Sequence, residues 1–266
     1  MNPPNSSSRF FAQILLPLAI FFGFAFPRGV HAQSRVSARD DLAWLKAKGT
    51  LLFEDSFDRE ETGNGAKAIG NGWESATADR VPHIKQAAIE AGTLKVNAAA
   101  KEAGHGVHIH HDAGFADGGV YMRFKLPGLN KGEMLQAGFV DREVSATVHA
   151  GHLGYVFLAE ASVALKDSKS YYLEVKKRRD AAQGEPSREE MIAMGKATTV
   201  TVPFAVGHEW HELVLITERD VMRASLDGKV VNEYKSAGFA HPAKRWFSLG
   251  SGSTFWIDEV KVWKVN

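Results

Sequence analysis

The alternation of apolar and polar residues is clearest in the last sixty residues of the chain. Two alternating runs, 221–226 and 229–234, flank the dipeptide Asp227-Gly228. Asp-Gly between such runs predicts a β-hairpin, because the tight turn needs positive φ at both central positions. The chain closes with 255–263, an aromatic and β-branched run that we expect to form a strand buried on at least one face.

The same two-residue period recurs upstream. Between positions 120 and 126 every even position is apolar, and Tyr121, Arg123 and Lys125 occupy the positions between them. This predicts an antiparallel sheet with one packed face and one face that is wet or functional. Shorter runs of the same kind from 50 to 266 predict an all-β sandwich in a single domain.

Two segments favour helix over strand. Ser37 with Asp40 has the spacing of a capping box, so 33–49 is expected to be a short helical N-terminal segment, with the helix over 37–48. A charged stretch at about 171–195 contains a second capping box, Ser187 with Glu190, and predicts a helical hairpin inserted in the sandwich as a solvated arm.

Residues 1–32 have the pattern of a signal peptide. Arg9 precedes an apolar stretch over 10–26, and Val30-His31-Ala32 offers small or medium residues for cleavage after Ala32. This predicts export to the periplasm or the extracellular space. A retained N-terminal anchor is the alternative, since the apolar stretch is marginal as a membrane span.

The charge balance bears on partners. Removing residues 1–32 takes away Arg9 and Arg28 and no acidic residue, so the formal charge changes from +1 to −1. A nearly neutral chain offers no electrostatic basis for binding nucleic acid or, after signal cleavage, a membrane. The chain has no cysteine, so disulfides, thiol nucleophiles and cysteine metal sites are excluded.

Histidine is the unusual residue, with eleven in the chain and several close together. Imidazole can act as a base or as a ligand near neutral pH. One hypothesis is a metal site formed by His108, His110 and Asp112 with the His149-x-x-His152 loop. The alternative is structural, with the loop histidines bonded to backbone and the strand histidines on a polar sheet face.

Several short motifs resemble those of the concanavalin A-like lectin/glucanase jelly-roll proteins. Among these the chain is most similar to the exported bacterial 3-keto-disaccharide hydrolase (glycoside hydrolase 16-like) domain family. The resemblance covers about residues 50–266. The motifs are Phe53-x-Asp55-x-Phe57, Gly207-x-x-Trp210-His211, Leu226-Asp227-Gly228-Lys229, Ile257-Asp258-x-Val260-x-Val262, His149-Ala150-Gly151-His152 and Gly238-Phe239-Ala240-His241-Pro242-Ala243-Lys244.

The resemblance lacks one motif. Retaining glucanases of this fold carry Glu-x-Asp-x-Glu on one strand, which places three carboxylates on one face. The motif does not occur in this chain, and the adjacent Glu54 and Asp55 would point to opposite faces of a strand. A standard two-carboxylate glucanase mechanism is therefore not expected.

The resemblance implies a carbohydrate ligand and leaves three functions open. As a glycoside hydrolase acting on a modified sugar, the chain would use His149 or His152 as general base, with Lys244 or Arg142 stabilising oxyanion charge. As a lectin-like module it would bind glycan without turnover, and as a scaffold it would bind no small ligand. The expected sugar-binding residues are Asp141, Arg142, His241, Tyr121 and Arg123.

The resemblance also suggests a structural Ca²⁺ site. In this fold the first and last strands often lie together, which would bring Asp55 close to Asp258. Carboxylate oxygens are the ligands that Ca²⁺ prefers. Surface hydrogen bonding of the two carboxylates is the alternative.

Overall fold

The structure is a computed structural model and describes residues 39–97, 101–147, 149–182 and 184–266. The predicted signal peptide lies outside these residues. Within them, no helix is long and apolar enough to span a membrane.

The described residues form three α-helices and fifteen strands. The helices are α1 (Asp41–Lys48), α2 (Ser168–Ala182) and α3 (Arg188–Ala197). The strands are β1 (Gly49–Asp55), β2 (Glu74–Ser75), β3 (Ala87–Glu90), β4 (Thr93–Val96), β5 (Val107–Phe115), β6 (Asp117–Lys125), β7 (Met134–Val140), β8 (His152–Ala159), β9 (Ser162–Asp167), β10 (Thr199–Pro203), β11 (Trp210–Glu218), β12 (Val221–Leu226), β13 (Lys229–Lys235), β14 (Lys244–Ser251) and β15 (Phe255–Val265).

The strands form two antiparallel sheets packed face to face. The first has the order β13-β12-β11-β6-β15-β4-β3, with β1 also paired to β15, and the second has the order β10-β9-β8-β7-β14-β5-β2. Apolar side chains from both sheets form one continuous core between them. The all-β jelly-roll sandwich predicted from the sequence is confirmed.

Strand β6 shows how the alternation builds the core. Val120, Met122 and Phe124 have no exposed surface and face the second sheet, where Ile109 and Phe139 are equally buried. Full burial of such side chains stabilises the fold by about 1.5–3 kcal/mol each. Because Ile109 and Phe139 point from the second sheet into the core, the opposite, outer face of that sheet can carry polar side chains.

The C-terminal strands follow the predicted pattern, with one interruption. Asp227 and Gly228 have φ of 50° and 76°, as the predicted hairpin turn between β12 and β13 requires. The pairing of β15 with β6 shifts register between Ile257 and Glu259. This bulge sends both Ile257 and Val260 into the core and leaves Asp258 on the outside.

Helix α1 begins later than predicted. Its N-cap is Asp40, whose carboxylate accepts a hydrogen bond from the amide of Ala43 at 3.0 Å, so the first helical residue is Asp41. The buried Asp41 carboxylate binds Ser225 at 2.6 Å and Arg223 at 3.2 Å, which ties the helix to the outer face of the first sheet.

The helical insertion is longer and better anchored than predicted. The capping box is confirmed, with Glu190 accepting from the Ser187 amide and Ser187 accepting from the Glu190 amide. However, α2 begins at Ser168, directly after β9, and packs on β8 with Val175 buried. The insertion therefore covers part of the outer face of the second sheet and is more than a solvated arm.

Candidate functional site

A cavity of about 320 Å³ lies on the outer face of the second sheet, over strands β5, β7, β8 and β14. We call it the histidine pocket, because five histidines line it together with Arg80, Arg142, Tyr155 and Trp246. Its volume is at the lower end of the range of about 300–1,000 Å³ typical of small-molecule sites. The five histidines are His105, His108, His110, His149 and His152.

The two-residue period of β5 explains how the strand histidines reach this pocket. Val107 and Ile109 point into the core, so His108 and His110 must point out of the sheet. Strand β14 pairs with both β5 and β7 and brings Trp246 beside them on the same face. The pocket therefore collects residues that are distant in sequence but neighbours across the sheet.

Two glycines allow the pocket rings to lie close to the sheet. A Cβ on Gly250 would come within 2.5 Å of the His108 ring, and one on Gly138 would come within 2.5 Å of the Tyr155 ring. The His108 ring is also held at its edge by Gln136, whose amide nitrogen lies 3.2 Å from Nε2. Glycine at these positions gives the pocket its depth.

A three-layer stack forms one wall. The rings of His110 and Trp246 are nearly parallel, with centroids 3.9 Å apart, and the Arg142 guanidinium carbon lies 3.4 Å from the Trp246 ring centroid. Stacking on both sides holds the indole and the guanidinium in fixed orientations. The Trp246 faces are thus both occupied.

His149 lies on the loop that forms the opposite wall. Its backbone has a φ of 63°, a left-handed conformation that costs a residue other than glycine about 1–2 kcal/mol. The His149 ring lies 5.1 Å from that of His152 and 5.4 Å from that of Tyr172 on α2. A strained backbone held in place by neighbouring rings is common at functional sites.

The surroundings keep these imidazoles neutral. Burial, followed by repulsion from nearby histidines, lowers the pKa of His108 to about 4 and that of His152 to about 3. Burial and the Arg142 charge lower the pKa of His110 to about 4. Burial and His105 also lower the pKa of His149. At neutral pH the pocket therefore presents uncharged imidazoles that can accept a proton.

These shifts predict a loss of stability on mild acidification. Because the pKa of His108, His110 and His152 is lower in the folded than in the unfolded chain, the unfolded chain binds more protons from about pH 6.5 down to about pH 4 for His108 and His110 and about pH 3 for His152. The neutral forms of these three histidines contribute fully to the stability of the folded chain above about pH 6.5, and this contribution is lost as the pH falls through this window. We expect His152→Gln to flatten the fall of Tm with pH, and the exposed His83→Gln to leave it unchanged. Equal slopes in both variants would contradict the prediction.

The pocket has no acidic side chain among its described lining residues. Two acids close to the pocket pair with basic side chains outside its lining: Glu74 binds Lys67 at 3.0 Å and also lies 3.6 Å from His110, and Glu143 binds Arg245 at 2.6 Å. This agrees with the missing Glu-x-Asp-x-Glu motif. A glycosidase mechanism that uses two carboxylates has no support from the residues of this pocket.

Three of the residues predicted from the sequence lie behind the pocket. Asp141 accepts hydrogen bonds from His241 at 2.8 Å and from Arg245 at 2.7 Å, and its amide binds Gly151 of the histidine loop. Although burial alone would raise it, the pKa of Asp141 is lowered by the bond from His241 and by Arg245. Lys244 is buried and donates to the carbonyls of Ala116 and His241. These residues are placed to hold the loop and not to contact a ligand in the pocket.

Two other predicted residues lie on a different surface. Tyr121 and Arg123 belong to β6 and point from the outer face of the first sheet. Tyr121 borders a cavity beneath α1, and Arg123 pairs with Asp258. Neither lines the histidine pocket, so the structure does not bring them together with His149, and a ligand-binding role for them stays a prediction. The alternation along β6 correctly placed Tyr121 and Arg123 on the face away from the core. It could not indicate which of the two sheets carries the pocket.

The proposed Ca²⁺ site is not formed by the described side chains. The buried Asp55 carboxylate is bound by Arg59 at 2.6 Å, by the Phe57 amide at 2.9 Å and by the Trp73 indole at 3.1 Å. Burial opposes ionisation, but the bonds from Arg59 and its neighbours lower the pKa of Asp55. Asp258 lies at the bulge on the outside, so the two carboxylates do not share a site.

The predicted histidine metal site is not formed by the described side chains either. In the part of the chain that the structure describes, no group of three or more histidine, aspartate or glutamate side chains could hold a metal ion. Asp112 does not line the pocket. His108, His110, His149 and His152 do come together, as the hypothesis required, but as packed and neutral rings.

Sequence reasoning found His149, His152 and Arg142 and missed several of their neighbours. The sequence patterns do not point to Trp246, Tyr155, Tyr172 or Arg80 as site residues. Only the position of Trp246 two residues before Ser248, in an alternating strand, could have placed it on the outer face. Pairing between distant strands decided the rest.

Comparison with known proteins identifies the fold. No protein-family model matches the chain, and a search of curated proteins finds no match. Among solved structures, the chain is similar to SCLam, a non-specific endo-β-1,3(4)-glucanase from family GH16, with a TM-score of 0.54 and 13% identity over 83% of this chain and 92% of that chain. It is also similar to the endo-β-1,3-glucanase from Pyrococcus furiosus, with a TM-score of 0.53 and 13% identity over 84% and 97% of the two chains.

A third similar structure is the laminarinase from Rhodothermus marinus, with a TM-score of 0.53 and 13% identity over 82% of this chain and 98% of that chain. At this level of identity the likeness establishes a concanavalin A-like, GH16-like jelly roll and does not transfer an activity.

Proposed function

We propose that the histidine pocket is the active site of a carbohydrate-cleaving enzyme that acts on a glycoside carrying a ketone in its sugar ring. The observation that carries the proposal is the lining of five imidazoles with no described carboxylate. A pocket of this composition is suited to removing a proton from an acidified C–H bond, and not to the two-carboxylate displacement of ordinary glycosides.

The chemistry follows from the position of the ketone. In a 3-keto glycoside the C2–H bond is acidified by the neighbouring carbonyl, and the bond to the departing sugar at C1 is β to that carbonyl. His149 takes the C2 proton, the electron pair forms the C1–C2 double bond, and the C1–O bond breaks. The imidazolium returns the proton to the departing oxygen, and water then adds across the double bond, with its oxygen joining C1 and its hydrogen C2. The net result is hydrolysis.

His149 is the histidine best suited to be the base. A general base works best when its pKa is near the working pH, and the pKa of His152, at about 3, is too low for that role. The pKa of His149 is lowered by burial and by His105, but its ring is only partly buried at the pocket wall. The two lining arginines, Arg80 and the stacked Arg142, together supply the positive charge that stabilises an enolate oxygen at C3.

The geometry gives less support to a lectin-like module. Sugar-binding modules use an open aromatic face to stack on the ring. Trp246, which lies in the wall of the pocket, has one face covered by His110 and the other by Arg142. A pocket with a general base and an oriented guanidinium is better suited to catalysis than to sugar binding alone.

The test is to incubate residues 33–266 with a 3-keto disaccharide in D₂O, beside its unoxidised parent. We expect release of the monosaccharides from the oxidised sugar only, with deuterium at C2 of the product. Cleavage without deuterium, or equal cleavage of the parent, would contradict the elimination mechanism. Saturable binding without cleavage would reassign the pocket to a lectin-like module.

A further inference from the structure

The histidine pocket has an excess of positive charge. Arg80 and Arg142 both line it, and its described lining contains no acid to balance them. The imidazoles of His108, His110 and His152 add hydrogen-bonding groups but no charge at neutral pH, since burial lowers their pKa values. A ligand that enters this pocket therefore meets two guanidinium groups in the described lining, and the Glu74 carboxylate lies only at the pocket edge.

The surrounding acids offset this charge only in part, since Glu74 at the pocket edge attracts Arg142 electrostatically without forming an ion pair with it. Glu74 reaches the pocket edge, 3.6 Å from His110, but pairs with Lys67 outside it. Glu143, next to Arg142 in sequence, pairs with Arg245. Within the described residues, no ion pair joins either pocket arginine to an acidic side chain. Their charges are left for a ligand.

Arg142 is held in a geometry suited to an anion. Its guanidinium stacks on Trp246, which His110 supports from the other side. A stacked guanidinium keeps its N–H donors in the plane, directed outward, where they can bind two oxygens of one carboxylate or sulfate group. Because the stack already orders the side chain, binding costs less conformational entropy.

We propose that the pocket binds a sugar that carries an anionic group, a carboxylate or a sulfate ester, with Arg142 as the principal contact and Arg80 as a second positive charge. This inference rests on the proposed carbohydrate function and narrows its substrate class to acidic glycosides. A charged hydrogen bond contributes about 1.5–3 kcal/mol, which corresponds to about 10- to 150-fold in affinity.

Calorimetric titration of residues 33–266 tests the proposal without turnover. The ligands are methyl glucuronide, methyl glucoside 6-sulfate, neutral methyl glucoside and inorganic sulfate, each at low and high salt. We expect at least one charged sugar to bind ten-fold or more tightly than the neutral sugar, with affinity falling as salt rises. Arg142→Gln should remove that preference and Arg80→Gln should reduce it.

Arg188→Gln is the matched control, because Arg188 is exposed at the start of α3 and does not line the pocket. Equal binding of charged and neutral sugars would overturn the inference. So would inorganic sulfate binding as tightly as the sulfated sugar, since the site would then recognise the anion alone.

The two proposals can fail separately. Cleavage of a neutral 3-keto disaccharide, without any preference for charged sugars, would overturn this inference and leave the proposed function intact. A charged-sugar preference that depends on Arg142, with no cleavage of any keto glycoside, would overturn the proposed hydrolysis and support this inference.

Discussion

Replacing His149 with alanine is expected to lower kcat for the 3-keto disaccharide by about 10²- to 10⁴-fold, the usual contribution of a positioned general base. KM should change little, because the ring is proposed to act on a proton and Arg142 to hold the sugar. The measurement is steady-state kinetics beside His83→Ala, an exposed histidine that does not line the pocket. Unchanged kcat in His149→Ala would remove His149 as the base.

A second substitution separates catalysis from folding at the same position. His149 has a left-handed backbone conformation that glycine adopts without cost. We expect His149→Gly to be as inactive as His149→Ala but more stable than it by about 1 kcal/mol. Such a pair would show that the strain is retained for function. Equal stability of the two variants would show that the loop of His149→Ala relaxes out of the left-handed conformation and carries no strain.

Asp167→Ala is expected to have the largest effect on stability. The fully buried carboxylate of Asp167 accepts from the Ser170 amide at 2.8 Å, the Ser170 hydroxyl at 2.6 Å and the Gly238 amide at 3.0 Å, and it also binds Ser236. Alanine would leave these donors without a partner. We expect a loss of about 3 kcal/mol, or a Tm lower by roughly 6–12 °C.

This loss should also reach the pocket. Asp167 joins the start of α2 to the short helix Ala237–Ala240, and α2 carries Tyr172, which packs on His149. The matched control is Asp180→Ala, an exposed aspartate of the same helix, which should change stability by less than about 0.5 kcal/mol. A similar Tm for the two variants would mean that the hairpin is not anchored through Asp167.

The sequence predicted the fold through signals that act over a few residues. The Asp227-Gly228 turn, the alternation along β6 and the capping box of α3 all appear in the structure as expected. The length of the inserted hairpin was underestimated although Asp167 offers a local N-cap signal, since it accepts from the Ser170 amide. Its bonds to Ser236 and Gly238, which anchor the helix to a distant segment, leave no local signal.

The site was predicted only in part, for the same reason. His149, His152 and Arg142 lie on one loop or beside it, so sequence proximity was enough to group them. Lys244 shares a motif with His241, yet its ammonium is buried against the Ala116 carbonyl. Burial lowers the pKa of Lys244 to about 8, but the residue does not line the pocket. Motif membership could not reveal the direction of the side chain.

By itself the sequence determined an antiparallel sandwich, its principal hairpin and an unusual number of histidines. Local periodicity is sufficient for this, because side chains alternate across every strand. Only the tertiary structure decided which face carries the pocket and that Trp246 lies between His110 and Arg142. It did so by placing β14 between β5 and β7, and strand order depends on which distant surfaces bury the core together.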